Sequence, residues 1–429
     1  MSSDALPASP LIESRFAWLR LLTSLAIMTI NGAGMYSVVV VLPAVQAEFG
    51  VARGEASLPY TLTLIGFGLG GMLMGRLADR LGVVVPLTIG CVMLGAGLVG
   101  ASFAGSLLSF ALIQGLVIGL LGTSSSFAPL IADTSMWFTR RRGIAVAICA
   151  SGNYLAGAIW PPIVQTMVEA WGWRTAYLVL GIVCTLGTAP LVMLYRKRAP
   201  APEPAPAAMT DTPAASTAPP GPAANGSTGG PSARPFGMSP NQALALLSLA
   251  GVGCCVAMSM PQVHIVAYCS DLGYGAASGA QMLSLMLAFG IVSRLASGFI
   301  SDRIGGVRTL LLGAIMQAVA LALYLPFDSL HSLYAIAILF GLFQGGIVPS
   351  YTIIVREYFP AQGAATRVSI VLTATLLGMA WGGWLSGRIF DLTGSYDAAF
   401  INGLAWNFMN LMIGVFLLRR LARIKAGQA

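Results

Sequence analysis

Apolar residues fill this chain in long runs rather than alternating with polar ones. Twelve runs stand out, at residues 17–45, 57–76, 83–102, 106–132, 143–168, 173–195, 241–269, 277–300, 307–325, 331–354, 363–389 and 398–418. About 20 consecutive apolar residues are needed for a helix to cross the hydrocarbon core of a bilayer. Each run therefore predicts one transmembrane pass, and the fold class is an all-α membrane protein. The first run is too long, and too closely followed by others, to be a removable signal peptide. Polar positions gather in short connections and in one longer stretch, residues 196–239. That stretch is rich in Pro, Ala, Ser, Thr and Gly. It shows no periodicity and lacks the bulky apolar residues that could drive its own ordering. It predicts a flexible linker between a six-helix half at residues 1–195 and a second at residues 240–429.

Composition agrees with the pattern. Only 9% of the 429 residues are charged, and 56% are hydrophobic; a soluble domain carries roughly 25% charged residues. A net charge of +8 could suggest a polyanionic partner. The distribution argues otherwise. With the N-terminus inside, inner loops and tails hold 19 of the 23 Lys and Arg, outer loops hold Arg53, Arg174 and Arg388, and Arg294 lies within a run. This is the positive-inside bias. It predicts cytoplasmic N- and C-termini, a bacterial inner membrane or its equivalent, and no nucleic-acid partner. All six cysteines fall in predicted passes, so no disulfide framework is implied. They read as small packing residues.

The two halves echo each other. Gly75-Arg-Leu-Ala-Asp79-Arg80-Leu-Gly82 ends the second run, and Gly298-Phe-Ile-Ser-Asp302-Arg303-Ile-Gly305 ends the eighth. One such motif could be chance; two at matching places indicate internal duplication. The doubled loop resembles the signature loop of the major facilitator superfamily, over nearly the whole chain apart from the N-terminal tail and the linker. The resemblance implies two pseudo-symmetric six-helix halves. It also implies that Asp79 and Asp302 cap helices across the boundary between halves and hold one state of an alternating cycle. A carboxylate is favoured at a helix N-terminus.

The segment Trp137-Phe138-Thr-Arg140-Arg141-Arg142-Gly143, continuing to Gly152, is similar to the signature of monocarboxylate transporters. It departs from that signature at Ala147, Cys149 and Ser151. Its basic cluster also reads as a cytoplasmic anchor, and Asp133 is expected to pair with Arg140–Arg142.

Arg294 carries the candidate chemistry. A guanidinium cannot be deprotonated in a protein, and placing it at mid-membrane depth costs at least about 2.5–3.5 kcal/mol. The simplest role is counter-charge for an anion; the alternative is a side chain snorkelling to inner headgroups. Arg294 precedes Asp302 by eight residues, about 12 Å of helix. This resembles the substrate-binding arginine of monocarboxylate and oxalate/formate transporters. Those relatives often carry an acid where this chain has Gly290 and a first-pass lysine where it has Tyr36. Oxalate exchangers add an eleventh-pass lysine that is missing here. One cation neutralises one carboxylate, and a second carboxylate left to neutral donors is expensive in a low-dielectric site. The expected substrate is a small organic monoanion.

Other polar groups could complete the site. His264 and Tyr268 share a helix face, beside Pro261, which is expected to kink the helix. His264 could carry a proton near neutral pH, donate to a carboxylate, or simply bond between helices. Asn31, Tyr36, Asn153 and Gln344 are further candidates, with Ser124–Ser126, Tyr154, Tyr351 and Thr375 ranked lower. The Met, Cys and His residues of the seventh and eighth runs also suit a soft metal, which keeps a copper-type importer as an alternative. A membrane sensor is a second alternative, although the short tails offer no obvious output. No nucleophile–base, metal-ligand or Walker motif stands out, so the chain reads as neither an enzyme nor ATP-driven, with no cofactor. The glycines at Gly66–Gly71 and Gly115–Gly122 follow no strand and read as close-packing faces. The expectation is a monomeric twelve-helix secondary transporter, coupled either to protons or to exchange of anions.

Overall fold

The computed structural model describes residues 12–138, 141–196, 234–360 and 363–426. Arg140 and linker residues 197–233 lie outside the described residues, so the expectations for them are not addressed by the structure. Among the described residues the chain is helical, with no strand. The helices are α1 (Arg15–Asn31), α2 (Ala33–Phe49), α3 (Arg53–Ala56), α4 (Leu58–Leu81), α5 (Val84–Ser102), α6 (Leu107–Leu112), α7 (Ser124–Trp137) and α8 (Arg142–Met193). After the linker come α9 (Pro240–Asp271), α10 (Ala276–Ile304), α11 (Gly306–Leu323), α12 (Leu330–Gln344), α13 (Ile347–Tyr358), α14 (Ala364–Thr393) and α15 (Tyr396–Ala426).

Eleven continuous helical stretches are long and apolar enough to cross a membrane. One of them, Arg142–Arg196, has 55 residues. At about 1.5 Å per residue it would span more than twice the roughly 30 Å core. Gly172 resolves this. Its φ of 78° and ψ of 159° break the helix, and residues 142–171 and 173–193 form separate passes. Among the described residues the count is therefore twelve. The fourth pass is assembled from α6, a π-helical stretch Ile113–Thr123 and α7. There the glycines bring backbones together. A Cβ on Gly66 would meet the Gly115 carbonyl, and one on Gly70 would meet the Leu120 carbonyl.

Helix ends follow local chemistry. Ser14 caps α1 by accepting from the Ala17 amide. Ser239 and Gln242 form a capping box on α9, with Pro240 at its first turn. The doubled motif ends α4 and α10 at Gly82 (φ 86°) and Gly305 (φ 83°), a backbone region that glycine adopts at low cost. Several helices run past their apolar cores, as α15 does to Ala426, because backbone hydrogen bonding outlasts hydropathy. α9 is one unbroken helix with Pro261 inside it.

The passes form two sets of six. Within the first set, α8 packs on α1, α2 and α5; within the second, α9 packs on α14 and α15 and α10 packs on α12. Between the sets, α8 meets α10, α4 and α3 meet α14, and α2 meets α9. All six cysteines are free and buried.

A buried ion pair ties the first set together. Arg20 donates from Nε to Asp133 Oδ2 at 2.7 Å and from Nη2 to Oδ1 at 2.9 Å. Its guanidinium lies 4.1 Å from the Tyr195 ring centroid and 4.8 Å from that of Trp137. Asp133 thus takes Arg20, and among the described residues neither Arg141 nor Arg142 pairs with it. The pair is almost fully buried, and a planar fork on a neighbouring helix can satisfy both carboxylate oxygens at once. Arg20→Met should lower the melting temperature of the detergent-purified protein, because an unpaired buried carboxylate costs about 3–5 kcal/mol. The Arg20→Met/Asp133→Leu double variant should recover most of that loss. Equal melting of single and double variants would show that the pair does not act as a unit.

Candidate anion site

Arg294 lies 18 residues along α10 from Ala276 and ten before Ile304, about 27 Å and 15 Å from the two helix ends. The side chain is partly buried. Its Nη1 donates to the Ala150 carbonyl of α8 at 3.3 Å, and its guanidinium sits 4.8 Å from the centroid of the Tyr154 ring. Gly290, one turn earlier, makes this seat possible. A Cβ there would come within 2.5 Å of Tyr154 Cε1. The ring fills the space and presents its electron-rich face to the cation. The Tyr36 ring edge borders Gly157 of α8, three residues from Tyr154. Among the described residues no carboxylate pairs with Arg294.

The remaining sequence candidates divide by position. Asn153 borders a small cavity with Met28, Gly32, Met35, Phe67, Thr123, Ser126 and Phe127, inside the first set. Asn31 is fully buried and accepts from Thr188 at 3.2 Å. Gln344 is buried behind α10 and accepts from Gln262 at 2.8 Å, while its own amide nitrogen has no partner. His264 and Tyr268 are not at Arg294. His264 lies only seven residues from the far end of α9, about 10 Å, and its Nε2 is 2.7 Å from the Gly383 carbonyl. Tyr268 packs edge-on against Tyr396 and Phe400. No three His, Cys, Asp or Glu side chains among the described residues converge to hold a metal ion.

The two ends of the bundle differ. At the end that carries the chain termini, Asp79, Arg80, Asp302 and Arg303 are exposed. A Cβ on Gly75 or Gly298 would meet only open space. At the opposite end the sets touch closely. Asp391 accepts from the Arg53 and Gly54 amides at 2.7 and 2.8 Å. The Arg53 guanidinium reaches Asp271 at 3.0 Å and also Tyr396. Thr61 donates to the Ala380 carbonyl at 3.1 Å, and Ser284 donates to that of Ala158. Moving along α10 from that end, the Arg294–Ala150 bond is the last hydrogen bond between the sets among the described residues. Arg294 therefore sits where hydrogen bonding between the two sets ends, on the side of the chain termini.

A sequence profile of the Major Facilitator Superfamily matches residues 24–382 and, again, 295–428. The chain belongs to this superfamily. Among curated relatives, Monocarboxylate transporter 13 of Bos taurus is 26% identical over 348 residues, covering 81% of this chain and 75% of that one. Monocarboxylate transporter 11 of Mus musculus is 27% identical over 405 residues, covering 92% and 86%. In fold, the chain is similar to a bacterial homologue of the human lysosomal transporter Spinster. The TM-score is 0.70 at 13% identity, covering 95% of this chain and 97% of that one. A peptide transporter crystallised with sulfate gives 0.71 at 14%, covering 94% of each. These superfamily relatives are transporters, and this chain is not an enzyme.

The sequence reading ranked Tyr154 low and did not single out Asp271, Asp391 or Tyr396. The missed signal was Gly387-Arg388-Ile-Phe-Asp391-Leu-Thr-Gly394, which repeats the glycine–aspartate–glycine spacing of the doubled loop. Contact between Gly290 and Tyr154 is testable by a double-mutant cycle. Gly290→Val should lose about 1–3 kcal/mol of stability by overpacking, and most of that loss should vanish in a Tyr154→Ala background. Additive losses would place the ring elsewhere.

Proposed function

We propose that this protein is a secondary transporter of a small organic monoanion, with Arg294 as the residue that binds the carboxylate. The observation that carries the reading is a cation at membrane depth, at the last hydrogen bond between the two sets, with no acidic partner among the described residues. The names of the monocarboxylate-transporter relatives point to the same substrate class. Tyr154 and Ala150 hold the guanidinium without neutralising it, so its charge stays available to a ligand. Tyr36, whose ring borders Gly157, would donate a hydrogen bond to the second carboxylate oxygen. A second carboxylate would find no second cation.

In this reading residues 1–195 and 240–429 are two halves joined by residues 196–239, and they rock about the Arg294 level to give alternating access. Both termini face the cytoplasm, so the end with exposed Asp79 and Asp302 faces inward. Exchange of one monoanion for another suits the site best. An occupied site is neutral, whereas an empty one must move an uncompensated charge through a dry intermediate. His264, the proton-carrier candidate of the sequence, is fully buried near the other end of α9.

The test is uptake by proteoliposomes given labelled mono- and dicarboxylates, with and without internal counter-anion and a pH gradient. Monocarboxylates should enter, faster when an internal monoanion is present. Arg294→Gln should cut uptake at least about thirtyfold, in line with losing a buried charge partner worth about 2–5 kcal/mol. Normal transport of every accepted substrate by Arg294→Gln and Arg294→Lys would remove the binding role.

A further inference from the structure

The spacing Gly-x-x-x-Asp-x-x-Gly occurs a third time, at Gly387, Asp391 and Gly394. It ends α14 at a glycine with φ 67°, as Gly82 and Gly305 end α4 and α10 at φ 86° and 83°. The first two copies lie at the end carrying the chain termini. The third lies at the opposite end, and it is engaged. Asp391 uses both carboxylate oxygens, Oδ1 on the Arg53 amide at 2.7 Å and Oδ2 on the Gly54 amide at 2.8 Å. Those amides open the short helix that leads into the second pass, so the carboxylate of one set caps a helix of the other.

Arg53 fastens the same point from its side chain. Arg53 as a whole is 7% exposed. It donates to Asp271 Oδ2 at 3.0 Å and Oδ1 at 3.3 Å, and also to the Tyr396 hydroxyl. It lies over the Phe390 ring, 4.8 Å from the centroid. Two glycines allow the approach. A Cβ on Gly387 would come within 2.9 Å of the Arg53 carbonyl oxygen, and one on Gly54 within 3.0 Å of Asp391 Oδ2. His264 packs beneath, its ring 5.9 Å from that of Tyr396. One residue pair of the first set thus holds α9, α14 and α15 of the second. Parting the sets at this end would break charge-assisted bonds and leave Arg53, Asp271 and Asp391 to be resolvated together.

We propose that Arg53, Gly54, Asp271, Asp391 and Tyr396 form an outer latch that closes the far end of the bundle and sets the fraction of molecules facing inward. The proposal rests on the alternating-access reading and its orientation, but not on the identity of the substrate. The latch makes a third use of the loop motif, on the opposite side of the membrane from the other two. A weakened latch favours the outward-facing form, and the inner end closes as the outer end opens.

Paired spin labels on the full chain, without substrate, test this directly. One pair, Phe103→Cys with Phe327→Cys, reports the outer end; the other, Leu81→Cys with Ile304→Cys, reports the inner end. All four positions are exposed, and the native cysteines are buried. Asp391→Asn and Arg53→Met should raise the ratio of long to short outer distances by at least about tenfold. The inner distances should shorten in step. Tyr396→Phe, which removes one hydroxyl, should give a smaller shift in the same direction and serves if the charge variants do not fold. Unchanged outer distances in the folded variants would overturn the latch. Broadening at both ends without inner shortening would also overturn it, because it marks loss of packing rather than a shifted equilibrium. Uptake plays no part in the readout, so a failed substrate assignment stays separate from a failed latch.

Discussion

A guanidinium held at membrane depth against an aromatic face and a single carbonyl is the interaction on which the rest of this structure turns. Among the described residues three other arginines pair with carboxylates: Arg20 with Asp133, Arg53 with Asp271 and Arg174 with Glu48. Arg294 has Tyr154 and the Ala150 carbonyl. The difference is chemical rather than incidental. A paired arginine is structural, because its field is cancelled locally. An arginine on a π face keeps most of its field, which leaves it able to attract an anion. Gly290 sets this arrangement by giving Tyr154 the volume that any side chain at that position would claim.

The placement of that cation gives the asymmetry of the bundle its meaning. On one side of Arg294 the two sets of helices are joined by backbone-to-carboxylate bonds and by glycine-permitted contacts. On the other side the aspartates of the repeated loop are exposed. Substrate reaching Arg294 along the open side would meet a closed end beyond it. Such a barrier must be reversible, and polar groups suit that role because water can replace their partners when they part. An apolar seal between the sets would be harder to open.

Much of the architecture was legible in the sequence because a bilayer permits few solutions. Hydrophobic runs located all twelve passes, and the doubled glycine–aspartate motif marked the matching ends of α4 and α10. Lengths were read short wherever a helix continued into charged surface, as in α15. Pairings were much less legible. Asp133 lies close in sequence to the Arg140–Arg142 cluster, yet it bonds Arg20, more than a hundred residues away, because α1 packs beside α7. His264 and Arg294 were candidates for one site, but α9 and α10 run antiparallel and separate them by about 16 Å of depth. The third copy of the loop motif was hidden because Leu392 stands where the other two have an arginine. Only contact with α3 reveals its role.

The central claim is that Arg294 recognises one carboxylate, and ligand-dependent melting of the purified protein tests it most directly. Short monocarboxylates should raise the melting temperature of the wild type in proportion to the logarithm of their concentration. The matching neutral amides should not, and Arg294→Gln should abolish the effect while melting normally without ligand. Equal stabilisation of wild type and Arg294→Gln by monocarboxylates, or equal stabilisation by acids and amides, would contradict the account.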